Sequence, residues 1–202
     1  MNEGPLRERL IDVGVEMVTA EGTAALGLRE IARRAGVSHG APRRYFPTHQ
    51  ALLSAIARRG FADLGARFAA AGAGEAAPRE RVRALATVYV AYALEQRGMF
   101  ELMFRHDLLD STGQEGSDGP RLRESTRPLF AMFVGLVSRC GAADPEVTTA
   151  ALWANLHGVA QLWGAGSLPL VLGDSADGTD PGAYVARLVG AALDAHLGAD
   201  PS

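Results

Sequence analysis

The chain has 202 residues, 48% of them hydrophobic and 21% charged, with a formal net charge of −3 and a mean hydropathy of +0.03. That length holds one large or two modest domains with ample core, and no stretch approaches the roughly eighteen unbroken apolar residues of a membrane helix. One cysteine, Cys140, excludes an internal disulfide framework, and the polar start MNEGPLRERL carries no apolar export signal, so a cytoplasmic protein is expected.

All twenty basic residues are arginine, a bias of the kind a GC-rich genome imposes. Residues 1–60 hold nine arginines against six carboxylates, whereas the remainder holds eleven against seventeen. A basic N-terminal part on an acidic body is the charge layout of a DNA-binding head on a sensor.

A first helix is predicted over 5–21, with Pro5 near its start, Leu6, Leu10, Val13 and Met17 on one face, and Gly22 at its end. The stretch from Leu28 to Phe46 then organises the chain. Leu28, Ile31, Ala32 and Ala35 form one apolar stripe, and Gly36 stops that helix where a left-handed residue is wanted. Ser38 is the expected N-cap of a second helix, in which Pro42 is the fourth residue and loses no intrahelical bond. That helix presents His39, Gly40, Arg43 and Arg44, while the small residues Gly40 and Ala41 allow close approach to a groove. Two helices of this kind suit the major groove, where phosphates need cationic partners and guanine edges suit arginine. An ordinary helical hairpin with a solvated basic face has the same spacing.

Pro47 and Thr48 break the chain, with Thr48 capping a helix from His49 to Ala71, and Gly72 to Ala77 reads as a loop. Pro78 opens a helix through Gln96, and Gly98 separates it from a short one holding Met99, Phe100, Met103 and Phe104. Residues 110–119 contain no apolar side chain and read as a loop. The helix over 121–140 is apolar on nearly every side, so a central, buried position is expected. Asp144-Pro145 starts another over 145–165, 173–182 is a second loop, and Pro181 opens a last helix to Leu197. No alternating strand pattern interrupts this, and the predicted fold is all-α.

Leu6 to Leu64 resembles the DNA-binding domain of the tetracycline-repressor (TetR) family of transcriptional regulators. The resemblance is carried by Ile11, Val18, Gly22, Leu28, Ile31, Ala32, Ala35, Gly36, Val37, Ser38, Gly40, Tyr45, Phe46, Leu52 and Leu53. Farther on, Trp153, His157 and Gly158 resemble the Trp–His–Gly signature of one subgroup of that family's C-terminal domains. The chain departs from the family pattern at Gly27, where a Ser or Thr caps the first motif helix, at Arg43, and at His49-Gln50 in place of Lys-Glu.

The resemblance implies a three-helix head, residues 1–60, on an effector-binding and dimerisation domain of about six helices, residues 61–202. It implies a sequence-specific regulator, a repressor released from its operator by a small hydrophobic or aromatic ligand. It also implies a homodimer paired through the helices at 145–165 and 182–197, on a near-palindromic site in double-stranded DNA. Arg43 and Arg44 are the expected base readers, with Ser38 and its neighbouring N–H groups meeting phosphate. Arg29, Tyr45 and His49 are expected phosphate positioners. The expected effector lining is Tyr89, Tyr92, Phe100, Met103, Phe104, Phe130, Phe133, Trp153 and His157, faces on which the sequence places no cation. Plain core packing explains the same apolar spacing.

Five histidines without metal spacing and a lone cysteine give no metal site, and no cofactor is expected. Cys140 and His157 lack an orienting acid and an oxyanion hole, so the chain is not read as an enzyme. The rival reading is an interaction or scaffold protein that keeps the head without operator recognition.

Overall fold

Prolines and side-chain oxygens at the start, or glycines just past the end, mark several of the helices. In the computed structural model, which describes residues 3–74, 76–109, 122–172 and 181–199, these are α1 (Glu3–Glu21), α2 (Leu28–Arg34), α3 (His49–Ala71), α4 (Pro78–Glu95), α5 (Arg97–Phe104), α6 (Leu122–Arg139), α7 (Pro145–Gly164), α8 (Ser167–Leu172) and α9 (Pro181–Leu197). Two 3-10 turns, Thr23–Ala25 and Ala41–Arg44, lie among them, and the described residues contain no strand. Thr48 Oγ1 accepts the Ala51 N–H at 3.0 Å to start α3, and Asp144 accepts the Val147 N–H at 3.1 Å to start α7. Among the described residues, no helix is long and apolar enough to cross a membrane.

Two expectations need correcting. The helix α8 is absent from the sequence reading because Gly166 and Pro169 look like breakers. Pro169 is in fact the third residue of α8, where its missing N–H has no partner to lose. The helix over 121–140 is not centrally buried: in α6 only Leu122, Leu136 and Val137 are fully covered, and Phe130 is 37% exposed. Its apolar residues surround the axis, but packing reaches one side of it. The loop predicted at 110–119 lies outside the described residues, as does most of the one at 173–182, whose last two residues open α9.

The chain forms two compact units that do not follow chain order. One comprises Met1–Asp63 and Gln96–Arg127, the other Leu64–Glu95 and Pro128–Ser202. This grouping differs from the sequence division at 60/61 in placing α5 with the first unit. That helix stays with the first unit because its apolar face, Met99, Phe100 and Met103, is buried there. Gly60 of α3 makes room for both methionines, and Phe61 meets Phe104 edge-on at 5.9 Å. Leu10, Met17, Val18, Ile31, Leu52 and Ile56 complete that core, each such burial stabilising by about 1.5–3 kcal/mol. In the second unit α4, α7 and α9 bring together Leu85, Tyr89, Leu152, Leu156, Val189 and Leu193. An ion pair from Arg79 to Asp194 joins α4 to α9 at 2.5 Å.

The closest backbone approach in the first unit is at Gly98. A Cβ there would sit 2.1 Å from Val18 O and 3.1 Å from Gly22 Cα. Gly98→Ala is therefore expected to cost about 1–3 kcal/mol of stability in urea melts followed by circular dichroism. Gly135→Ala in α6, whose Cβ meets nothing within 4 Å, is expected to gain about 0.5–1 kcal/mol. A Gly98→Ala variant as stable as wild type would contradict this packing of α1 against α5.

Candidate nucleic-acid interface and a polar cluster in the second unit

The helix α2 ends as its glycine requires. Gly36 has φ +68°, and its N–H bonds Arg33 O at 3.1 Å while the Val37 N–H reaches back to Ala32 O at 3.0 Å. This pair of bonds satisfies the last carbonyls and turns the chain sharply. Ser38, His39 and Gly40 follow, all exposed.

What comes next is not the predicted α-helix. Ala41–Arg44 is a 3-10 turn entered from Gly40, and no side chain caps it, so Ser38 is not an N-cap. Pro42 is the cause. It has no N–H for an i→i−4 bond, and it disfavours the α conformation in the residue before it. The bonds that form are Ala41 N–H to Ser38 O and Tyr45 N–H to Pro42 O, both 3.0 Å. Pro42 and Phe46 are buried, with the Arg7 guanidinium 5.4 Å from the Phe46 ring centroid, while Arg43 and Arg44 are exposed. Ala41 and Tyr45 are half-buried.

Electrostatics then divides the arginines. Glu30 accepts Arg33 Nε and Nη2 at 2.8 and 2.6 Å and Arg34 Nε at 2.8 Å. The other edge of Arg34 spans Glu21 at 2.5 and 3.0 Å. Hydrogen bonds from Arg33 and then Arg34 hold the Glu30 carboxyl down to about 2, and Glu21 and Glu30 together raise Arg34. Arg29, Arg43 and Arg44 are exposed and have no hydrogen-bond or acidic partner among the described residues. His49, at the start of α3, places Nε2 2.5 Å from Leu26 O. All nine predicted DNA-contact residues thus fall in the first unit, eight within Arg29–Tyr45 or its flanks and His49 just beyond.

The predicted effector residues divide between the units. Phe100, Met103 and Phe104 belong to the first, where Met103 is fully buried and Phe100 and Phe104 stack with centroids 4.9 Å apart. Tyr89, Tyr92, Phe130, Phe133, Trp153 and His157 belong to the second. Phe133 meets Phe68 edge-on at 5.5 Å. Tyr92 carries the Arg67 guanidinium 5.0 Å from its ring centroid, itself paired with Glu95 at 2.7 Å. A cation therefore does sit on one of these faces. The sequence hid it because Arg67 and Tyr92 lie on different helices.

Tyr89, Trp153 and His157 do meet. The Trp153 indole N–H donates to Tyr89 Oη at 2.9 Å, and that oxygen lies 2.8 Å from His157 Nδ1. An indole N–H can only donate, so Tyr89 Oη is the acceptor of that bond, while the direction of its bond with Nδ1 is set by the imidazole tautomer. The Gln161 amide lies 3.4 Å from the other ring nitrogen, a neighbour the sequence reading passed over although it is four residues on. Burial raises the Tyr89 hydroxyl and lowers the His157 imidazole, so both stay neutral.

Residues 10–56 match a family profile described as bacterial regulatory proteins, tetR family, and residues 82–192 match one described as tetracyclin repressor-like, C-terminal domain. A curated relative, the HTH-type transcriptional regulator BetI of Rhizobium meliloti (strain 1021), is 39% identical over 148 residues, covering 69% of this chain and 68% of the relative. Among solved structures, a protein with unknown function from Rhodococcus sp. RHA1 is 30% identical with a TM-score of 0.72, covering 95% of this chain and 93% of that one. A tetR-family transcriptional regulator from Streptomyces coelicolor shares the fold at a TM-score of 0.66 and 21% identity, over 96% of this chain and 81% of its own.

The imidazole in this cluster sets a pH dependence. Because burial lowers His157, the unfolded chain binds its proton more readily than the folded one. The stability this supplies is complete above the ordinary histidine value of about 6.5 and is lost as pH falls toward the lowered folded value. The melting temperature is expected to fall between about pH 7.5 and 5.5, and His157→Gln to flatten part of that fall. A variant with the wild-type slope would remove His157 from the account.

Proposed function

Because the chain belongs to the TetR family of bacterial transcriptional regulators, we propose that it is a repressor whose first unit reads operator DNA and whose second unit binds the signal. The observation that carries the DNA part is the division among arginines. Arg33 and Arg34 are held by carboxylates, whereas Arg29 near the start of α2 and Arg43 and Arg44 on the 3-10 turn stand exposed. Arg43 and Arg44, on the 3-10 turn, are the base readers in this proposal. Arg29 and Tyr45 position the backbone, and Ser38, His39, Gly40 and Ala41 let the main chain approach the groove.

The repressor acts as a homodimer. The helix α7 buries Leu152, Leu156 and Ala160 on one side, and on the opposite side carries Val147, Ala151, Ala154, Gly158 and Leu162. Val147 is 63% and Leu162 49% exposed, with small residues between them that allow close helix approach. Pairing of this face with its two-fold copy calls for a near-palindromic operator.

The effector in this proposal is a small molecule, largely apolar or aromatic, held beside Tyr89, Trp153 and His157. Tyr92, Phe130 and Phe133 supply apolar surface of the same unit. The Tyr89–His157–Gln161 group offers the one or two hydrogen bonds that orient such a ligand. Phe100, Met103 and Phe104 have a packing role in the first unit and drop out of the lining.

Two measurements test this reading. Duplexes selected by the full-length protein from a random library should carry two copies of the chain in sedimentation. Arg43→Ala and Arg44→Ala should each weaken those duplexes by about 1–3 kcal/mol relative to scrambled DNA. If both variants bind as wild type does, the base-reading assignment is wrong. Secondly, apolar and aromatic compounds titrated onto the complex should quench Trp153 and release DNA together, with a coupling of about 1–3 kcal/mol and no such signal from Trp153→Phe. Quenching without release would leave a binding domain with no switch.

A further inference from the structure

We propose that His49 serves DNA recognition as a positioning residue, acting through the Leu26 carbonyl and not through the phosphate backbone. A carbonyl can only accept, so the 2.5 Å contact makes His49 Nε2 the donor. Leu26 is 3% exposed and lies one residue before the N-cap of α2. The hydrogen-bond ladder of α2 begins with the Ile31 N–H on Gly27 O, so the Leu26 carbonyl falls outside it and needs another partner. His49 is that partner.

The need is sharpened by Gly27. It stands at the N-cap of α2 and has no side chain to bond the first free N–H groups, so α2 lacks an anchor of its own at its entry. The imidazole supplies one from outside, and it is itself fixed, because Thr48 caps the first turn of α3 beside it. At the far end of α2, Arg34 is tied to Glu21 of α1. The segment Ser38–Tyr45 hangs between α2 and α3. Fixing the entry of α2 to the start of α3 therefore fixes the frame from which Arg43 and Arg44 project. This inference rests on the reading of Ser38–Tyr45 as the DNA-contacting segment.

The test uses full-length protein, the selected duplex and a scrambled duplex of equal length, with binding followed by anisotropy over a salt series. His49→Ala is expected to bind the selected duplex roughly three- to tenfold more weakly, the worth of one hydrogen bond. Its binding to the scrambled duplex, and the slope of log K against log salt, should stay as in wild type, since no phosphate contact is lost. His49→Gln, whose amide can donate to the same carbonyl, should recover most of the loss. Three results would overturn the proposal: equal loss on both duplexes with the slope reduced by about one, no loss at all, or a glutamine variant no better than alanine. Should His49→Ala not fold, His49→Gln decides alone, wild-type binding supporting the proposal and a uniform loss overturning it. If His49→Ala loses selected binding while Arg43→Ala and Arg44→Ala do not, the base-reading assignment to those two arginines falls, and the positioning of the Ser38–Tyr45 main chain stands.

Discussion

Two carboxylates decide what the first unit can offer to DNA. Glu30 binds Arg33 and Arg34, and Glu21 takes the other edge of Arg34. Each of these pairs is exposed, and exposed pairs contribute little to stability. Their consequence is geometric. A bidentate guanidinium is oriented as well as neutralised, so α2 is held against α1 and the charges of Arg33 and Arg34 are offset. Positive charge is left on Arg29, Arg43 and Arg44, next to a turn whose backbone is already shaped by Gly36 and Pro42.

The second unit uses polarity in the opposite way. Where the first unit spends charge at its surface, Tyr89 carries an uncharged chain of hydrogen bonds at the edge of a core. Its oxygen serves two partners 64 and 68 residues away in sequence. A phenol that is 4% exposed and doubly engaged has little freedom to rotate, so the Trp153 and His157 rings are fixed relative to each other through it. A molecule that displaced one of these partners would leave the buried Tyr89 hydroxyl in need of another, so on the proposed reading the cluster favours ligands able to hydrogen-bond.

Helix positions were legible wherever a local chemical signal existed. Thr48 and Gly72 bracket α3, Asp144 starts α7, and Gly36 ends α2, all readable from one or two residues. The 3-10 form of Ala41–Arg44 was less accessible. Counting Pro42 as a tolerated fourth residue of an α-helix ignored its effect on the residue before it. Long-range assignments were out of reach: nothing local says that Met99 and Met103 belong with Gly60, or that Tyr89 bonds Trp153. The apolar stripe of α5 reads the same whether it lines a cavity or fills a core, and here it fills a core. In α6 the sequence shows apolar residues on all sides, but the number of neighbouring helices decides how many of them are covered. Of the candidate site, the exposed turn and its arginines were readable because they depend on local spacing. The division of those arginines between carboxylates and solvent was not, because Glu21 and Arg34 lie on different helices.

The 3-10 turn has one more implication, for how this protein can diversify. Such a turn advances about 2.0 Å and rotates about 120° per residue, against about 1.5 Å and 100° in an α-helix. Arg43 and Arg44 therefore splay apart more widely than adjacent residues on an α-helix would. On the proposed reading, exchanging one side chain for another at these positions changes the group presented to DNA without changing the main chain that carries it. Adding or deleting a residue would rotate the side chains that follow by about a third of a circle relative to the buried Pro42 and Phe46. The turn can therefore accommodate an exchange of its exposed side chains more readily than a change in its length.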